Sequence, residues 1–354
     1  MSTVLRAVGV LALSSFTLGG VVAAQAPSSA PAPPAPAPTS QAPASPAWAY
    51  GLPPVPPDGT LPAGRGPATA APPAAPRQPD TSLKHVPGST QEFTLAHIRD
   101  YWDVGDWFPE DHPPMPNVVV HGRQPHVRGC AMCHMPNGKG RPENAPVAGQ
   151  PYPYIVQQLH DFKNDLRTSA DTRKTNTAQM IEAAKDMTDE EINAAAEYFS
   201  SMKWTPWIRV VEADTVPKTR IQGNVFFVIP DGGTEPIGHR IIESPEDSER
   251  FELRDPRSGF VAYVPTGSLK KGAALVASGG GKTTPCGVCH GTDLKGLGPV
   301  PGLAGRSPSY IVRQLWDIQQ GTRKGIWSPL MRPVLEKLTQ DDMIAIAAYV
   351  ASLK

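Results

Sequence analysis

The stretches CAMCH at residues 130–134 and CGVCH at residues 286–290 are two copies of the pattern Cys-x-x-Cys-His. Together they use all four cysteines of the 354-residue chain. Two thiols about one helical turn apart, followed at once by a histidine, are typical of covalent c-type haem attachment. The thiols bond to the porphyrin and the histidine binds the iron. The motifs therefore predict two haem c groups, attached to Cys130, Cys133, Cys286 and Cys289, with His134 and His290 as iron ligands.

Other uses of four cysteines explain the pattern less well. The two pairs lie too far apart in the sequence for the usual zinc-ribbon spacing. A thioredoxin-like pair would need a βαβ context, which neither pair has. Simple disulfides would leave both histidines and the duplication unexplained.

The beginning of the chain predicts export. Residues 1–24 combine one early positive charge, an apolar stretch and a small-residue cleavage site, which is the pattern of a signal peptide. We therefore expect a periplasmic protein, the alternative being an uncleaved signal that acts as an anchor. Membrane contact is expected only through such an anchor or through a membrane complex. Residues 25–84 are rich in Pro and Ala and predict a disordered linker.

The rest of the chain is long enough for two small domains and a connector. The formal net charge of the sequence is zero, which gives no support for nucleic-acid binding.

An internal repeat defines the domains. Tyr154 follows the first motif histidine by the same twenty residues that separate Tyr310 from the second. Thr188 and Thr339 then begin matching C-terminal segments. The predicted boundaries are 85–203 for the first haem domain, 204–266 for the connector and 267–354 for the second haem domain.

The repeated segments have helical patterns. Ile155, Leu159, Phe162 and Leu166 recur at helical spacing. Thr188 with Glu191, and Thr339 with Asp342, predict capping boxes at the start of two closing helices. A further helix is expected over 268–277, where three glycines end it.

This arrangement resembles a class I cytochrome c fold in tandem, and is most similar to the two-haem periplasmic cytochromes c4. The resemblance covers roughly residues 115–203 and 267–354. It implies an all-α fold of two such domains, here with a small β-containing connector and the disordered N-terminal segment. The connector and the linker depart from the family pattern, and Pro125 interrupts the first domain's leading helix.

In the family that the chain resembles, a methionine before the closing helix binds the second axial position of the iron and raises its potential. Met180 lies seven residues before Met187, and Met331 lies seven before Leu338. We therefore predict Met180 and Met331 as iron ligands. The alternatives left open are Met187, Met115, His121 and His126 for the first haem and Met343 for the second.

Groups around the ligands follow from the same resemblance. Pro301 is similar to the family proline whose carbonyl accepts a hydrogen bond from the ligating histidine, and Pro146 is its shifted counterpart in the first domain. Tyr154 and Tyr310 are expected to flank the haems, although core packing would explain them as well.

The connector contains two apolar runs, residues 225–230 and 260–265, that predict short strands. A mixed-charge run separates them. The region is interpreted as a solvated loop or a small β-ribbon packed between the haem domains, the alternatives being a partner-docking surface or a cover over one haem.

Two haems with both axial positions filled predict an electron carrier rather than an enzyme. Its redox partners would be a quinol-oxidising complex, a periplasmic dehydrogenase or a terminal oxidase. The alternatives are a two-haem oxidoreductase, similar to thiosulfate dehydrogenase or a peroxidase, and a cytochrome subunit of a dehydrogenase complex. Because fold alone does not decide function, these alternatives stay open.

Overall fold

The computed structural model describes residues 45–55 and 80–354. The predicted signal peptide lies outside the described residues, as do residues 25–44 and 56–79 of the predicted linker. The described residues all belong to one unit, Ser45–Lys354. Within these ranges no helix is long and apolar enough to cross a membrane.

Residues 45–55 differ from the prediction of a disordered linker over 25–84. A 3-10 helix runs from Ala47 to Tyr50, and the Tyr50 side chain is fully buried. Its hydroxyl donates to Asp317 Oδ1 at 2.7 Å, and the Ala49 carbonyl accepts from Arg313 at 2.6 Å. The Pro and Ala composition of the whole segment hides this short aromatic stretch, whose burial stabilises an ordered structure.

Short elements lead into the first haem domain. They are β1 (Leu83–Lys84), β2 (Phe93–Thr94), α1 (Leu95–Ile98), a 3-10 turn (Pro109–Asp111), α2 (Asn117–Val120), β3 (Gly122–Arg123) and β4 (Val127–Arg128). Strand β1 pairs antiparallel with β2, and β3 with β4. The hairpin β3–β4 contains Pro125, so only the four-residue α2 occupies the region of the expected leading helix.

Four helices form the rest of this domain: α3 (Cys130–His134), α4 (Tyr152–Lys163), α5 (Thr175–Asp186) and α6 (Asp189–Ser200). The predicted helix through Ile155 and Leu159 is confirmed as α4, although it ends before Leu166. The capping box of Thr188 and Glu191 is confirmed at the start of α6. Helix α5 was not predicted from the sequence.

The connector contains more strands than the two predicted. Its elements are β5 (Ile208–Glu212), β6 (Thr215–Pro217), β7 (Thr219–Gln222), β8 (Val225–Val228), β9 (Thr234–Pro236), β10 (Ile242–Pro245), α7 (Ser248–Glu252) and β11 (Phe260–Val264). The two predicted strands are confirmed as β8 and β11. The all-α description therefore fits α3 to α6 and the second haem domain, but neither the connector nor the short strands β2 to β4 at the start of the first domain. Four of the five connector strands that were not predicted have only three or four residues, too few to show clear alternation.

Strand β11 lies in the middle of a three-stranded sheet, antiparallel to β10 and parallel to β5. Ala262 is the register partner of both Glu243 and Val210. Two antiparallel pairs, β6 with β9 and β7 with β8, complete the connector. Ala262 and Val264 are fully buried in the core of the second domain, so the sheet is anchored to that domain.

The second haem domain consists of α8 (Ser268–Ser278), a 3-10 turn (Gly279–Gly281), α9 (Gly287–His290), α10 (Pro308–Gln319), α11 (Ser328–Leu335) and α12 (Gln340–Ser352). The predicted helix over 268–277 is confirmed as α8, and so is the capping box of Thr339 and Asp342 at α12. Helices α8 and α12 cross closely at Gly272, where a Cβ would overlap the carbonyl oxygen of Ala345. Glycine is therefore required at this crossing.

Each haem domain has its own hydrophobic core. In the first, Val119, Ile155, Ile192 and Phe199 are buried together with partly buried Cys130 and Met180. In the second, Val312, Trp316, Ile344 and Val350 are among the buried residues, with partly buried Cys286 and Met331 packed against them. Four of the predicted haem-binding residues, Cys130, Met180, Cys286 and Met331, thus pack against the two cores.

Candidate functional site

Both Cys-x-x-Cys-His motifs fold as one helical turn. Helix α3 covers the whole first motif, and in the second Cys286 is the N-cap of α9. At this spacing the side chains of residues i and i+3 lie on the same face of a helix. The two thiols of each pair therefore lie on one face, as attachment to a single porphyrin requires.

A backbone carbonyl orients each motif histidine. The distance from His134 Nδ1 to the Ala145 oxygen is 2.8 Å, and the distance from His290 Nδ1 to the Pro301 oxygen is also 2.8 Å. Since a carbonyl can only accept, Nδ1 carries the proton and Nε2 is free to bind iron. Burial lowers the pKa of both histidines and so favours the neutral, metal-binding form.

The acceptor for His134 corrects the expectation that placed it at Pro146. Ala145 stands eleven residues after its histidine, as Pro301 does after His290. The carbonyl of Pro146 instead accepts from Arg306 Nη1 at 2.9 Å. Because any residue offers a backbone carbonyl, the acceptor is determined by its position in the repeat. A proline at that position is not required.

A cavity in the first domain brings the predicted residues together. Its empty volume, mouth included, is about 1450 Å³. The predicted site residues on its lining are Cys130, Cys133, His134, Pro146, Tyr154, Met180 and Tyr310.

Met180 reaches this cavity from the middle of α5 and is partly buried. Of the alternatives, Met187 also lines it, but it is buried at the C-cap of α5. Met115 packs against the first core without lining the cavity. The two histidines are exposed and engaged elsewhere, His121 Nδ1 with the Trp102 carbonyl and His126 Nδ1 with Glu182, and neither lines the cavity.

The second site is more open. Cys286 is partly buried against the second core, whereas Cys289 is exposed. Met331 lies on α11, partly buried against the same core. Met343 is fully buried on α12, as a core residue is.

A crossed hydrogen-bond network joins the two domains at the first cavity. Arg167 Nη2 donates to Tyr310 Oη at 3.0 Å, and Arg323 Nη2 donates to Tyr154 Oη at 3.0 Å. Each arginine thus reaches the tyrosine of the other repeat. Both also donate to Gln158 and to Gln314, at 2.8 to 3.1 Å.

The two positively charged guanidinium groups of this network favour a negatively charged group beside them. Burial opposes ionisation of Tyr154, but Arg323 and Arg167 outweigh it and lower the pKa of that hydroxyl. Neither guanidinium forms an ion pair with a carboxylate in the described part of the chain. A buried cation without a carboxylate partner is costly, so an acidic group bound nearby would be stabilised.

The chain resembles known proteins by its match to a family model and by its sequence identity to individual proteins. The family model described as cytochrome c matches residues 119–203. The sequence is 40% identical over 81 residues to cytochrome c-554(548) of Halomonas halodenitrificans, covering 23% of this chain and 98% of that protein. It is 31% identical over 235 residues to a thiosulfate dehydrogenase electron acceptor of Stutzerimonas stutzeri, covering 66% and 82% respectively.

The chain belongs to the cytochrome c family. It is also 25% identical over 228 residues to cytochrome c4 of Pseudomonas aeruginosa, covering 63% of this chain and 83% of that protein. The predicted resemblance to the two-haem cytochromes c4 is therefore confirmed. Membership implies covalently bound haem c and a role in electron transfer.

The residues of the first cavity fit haem c. Its lining is largely apolar and contains two thiols and a neutral imidazole, as a porphyrin held by thioethers needs. Buried Arg167, Lys174 and Arg313 on the same lining suit the propionates of haem. The second site offers the same donor types in the same order.

Arg167, Arg323 and Tyr50 were missed from the sequence. The repeat contained a signal for the two arginines, because they stand 156 residues apart, the offset that also relates the two motif histidines. Tyr50 gave no comparable signal, since it lies outside both repeats.

Proposed function

We propose that the chain is a two-haem electron carrier with His/Met ligation at both irons. One observation carries this proposal: a single cavity is lined by Cys130, Cys133, His134 and Met180. When bound, haem c supplies an iron that cycles between the ferric and ferrous states. His134 and Met180 would hold that iron, and the thioether would favour its reduced state.

The repeat extends the proposal to the second site. Cys286, Cys289 and His290 repeat the first motif at an offset of 156 residues, and Met331 repeats Met180 at an offset of 151. Both methionines lie on the helix that precedes a capping-box helix. The two sites would therefore bind equivalent groups with equivalent ligands.

The crossed network supports electron transfer inside the molecule. Tyr154 and Tyr310 fix the two domains against each other through Arg323 and Arg167. Backbone bonds reinforce this contact, since the Thr168 amide donates to the Thr322 carbonyl at 2.9 Å. A fixed, hydrogen-bonded interface would keep the distance between the two haems constant and exclude mobile water from the path.

Filled axial positions argue against the two enzyme alternatives. A peroxidase needs an open iron position, which Met180 and Met331 would occupy. A cysteine-ligated thiosulfate enzyme needs a spare cysteine, and all four belong to the two motifs.

The chain's partners would be redox proteins in the periplasm, reached after export by the N-terminal signal. A quinol-oxidising complex or a periplasmic dehydrogenase would donate electrons, and a terminal oxidase would accept them. The relative named as a thiosulfate dehydrogenase electron acceptor favours one donor, a thiosulfate dehydrogenase. In that case the chain accepts the electrons and does not oxidise thiosulfate itself.

An optical spectrum of the purified ferric protein tests the proposal. We expect the methionine–iron charge-transfer band at an intensity that corresponds to two haems, and no carbon monoxide binding after reduction. The variants Met180→Ala and Met331→Ala should each remove half of the band and make one haem reactive toward carbon monoxide. A high-spin or carbon monoxide-binding haem in the unmodified protein would overturn the carrier proposal.

A further inference from the structure

The surface beside each motif differs sharply between the two domains. Met132, between the first pair of cysteines, is 6% exposed, whereas Val288 at the equivalent position is 66% exposed. The exposed fractions of the equivalent side chains seven residues after the motif histidines differ in the same way. The Arg141 side chain is 11% exposed, and its equivalent Leu297 is 59% exposed.

The connector covers the first of these surfaces. The guanidinium of Arg254 lies 4.0 Å from Met135 Sδ, and Asn137 Nδ2 donates to the Pro256 carbonyl at 3.1 Å. The guanidinium of Arg141 lies 3.4 Å from the centre of the Phe251 ring. The connector thus covers the surface beside the first motif.

In the second domain the equivalent residues are uncovered. The term open face denotes Val288, Lys295 and Leu297, which are all exposed. No ion pair in the described part of the chain involves Lys295. An exposed cluster that combines apolar side chains with a free cation next to a haem attachment point is typical of a docking site.

The net charge of the two domains also differs. Residues 267–354 carry eleven Lys and Arg against five Asp and Glu, whereas residues 85–203 carry eleven against sixteen. The second domain is therefore basic and the first acidic. Such a distribution orients an approaching acidic molecule toward the second domain.

We propose that the open face is the docking surface for an acidic redox protein, and that the first haem exchanges electrons with that partner only through the second. The proposal rests on the carrier function proposed above. One electron would leave the reduced partner, which is oxidised, and reach the iron bound at His290, which is reduced. No proton or chemical group moves in this step.

The test uses the two-haem protein on gold electrodes coated with a carboxylate-terminated monolayer, which stands in for the acidic partner. We expect Leu297→Glu and Lys295→Glu each to slow electron exchange by about tenfold or more, because either change puts a negative charge on the open face. Leu83→Glu is the matched control, since Leu83 is 53% exposed on the N-terminal strand β1 and should leave the rate unchanged.

Two results would overturn the docking proposal. One is an equal loss of rate in Leu83→Glu, and the other is faster exchange on an ammonium-terminated monolayer than on the carboxylate one. The optical spectrum and the carbon monoxide test on the same samples separate this failure from failure of the carrier function. If the methionine bands persist and carbon monoxide does not bind, only the docking proposal has failed.

Discussion

Met132 in the first motif is 6% exposed, whereas its counterpart Val288 in the second motif is 66% exposed. The two motifs have the same spacing and their histidines the same carbonyl support, so this difference does not arise within the haem-binding units. It arises from what packs on them, namely the α7 region of the connector. The repeat thus gives both domains the same cofactor ligands. The connector, which is inserted between them, determines which of the two motifs is exposed to solvent.

Removing one attachment site should have the largest effect. In Cys286→Ala/Cys289→Ala we expect the haem-to-protein ratio to fall from two to one, and exchange with the carboxylate electrode to be lost. The matched variant Cys130→Ala/Cys133→Ala should give the same ratio but keep the exchange. Intact mass and voltammetry measure both. Equal electrode responses of the two variants would contradict the proposed asymmetry.

Replacing an axial ligand should have the next largest effect. Met331→His would give the second iron two imidazole ligands and lower its potential, by a sizeable part of the roughly 0.8 V range that axial ligands set. Potentiometric titration measures this shift, and the methionine band should fall by half. Met343→Leu is the control, because Met343 is a buried core residue and its loss should change neither property. An unchanged potential in Met331→His would exclude Met331 as the ligand.

A buried carboxylate should make stability depend on pH. Glu243 Oε2 accepts from Ser307 Oγ at 2.8 Å, and burial raises the pKa of Glu243 to about 7. Since this pKa is raised on folding, the folded state binds the extra proton, and stability falls as pH rises from about 4.5 to about 7. The loss is on the order of 3 kcal/mol.

Glu243→Gln should flatten this dependence, because glutamine does not titrate. Urea unfolding at pH 5, 6, 7 and 8 measures it. If the free energy of unfolding changed with pH by the same amount in the variant and in the parent protein, Glu243 would not titrate in this range.

The smallest effect is expected at the interface between the two domains. Arg167→Ala leaves Gln314 and the Tyr310 hydroxyl with fewer partners, and should lower the free energy of unfolding by about 1–3 kcal/mol. The same change at Arg323 should not add fully to it, because both arginines donate to Gln158 and Gln314. Arg220→Ala, at an exposed strand position, is the control. Fully additive losses in denaturant unfolding would contradict a shared network.

The sequence predicted the elements that depend on local signals. The capping boxes before α6 and α12 and the glycine stop after α8 are encoded within a few residues. Helix α5 was not predicted, because Ala184 is its only fully buried residue and its apolar pattern is therefore weak.

The parts that were not predicted depend on contacts between distant segments. The Ala145 carbonyl leaves no trace in the side-chain pattern, although the repeat register indicates its place. The cover over the first motif needs Phe251 and Arg254, more than a hundred residues further along the chain. No local pattern in their mixed-charge run indicated which haem site it would cover.

The most direct test of the asymmetry is the paramagnetic NMR spectrum of the ferric two-haem protein, with a neutral, soluble relaxation agent added. We expect strong broadening of the shifted methyl signals of one haem only. These signals should be the ones that disappear in Cys286→Ala/Cys289→Ala. Equal broadening of both sets, or stronger broadening of the set that this variant retains, would contradict it.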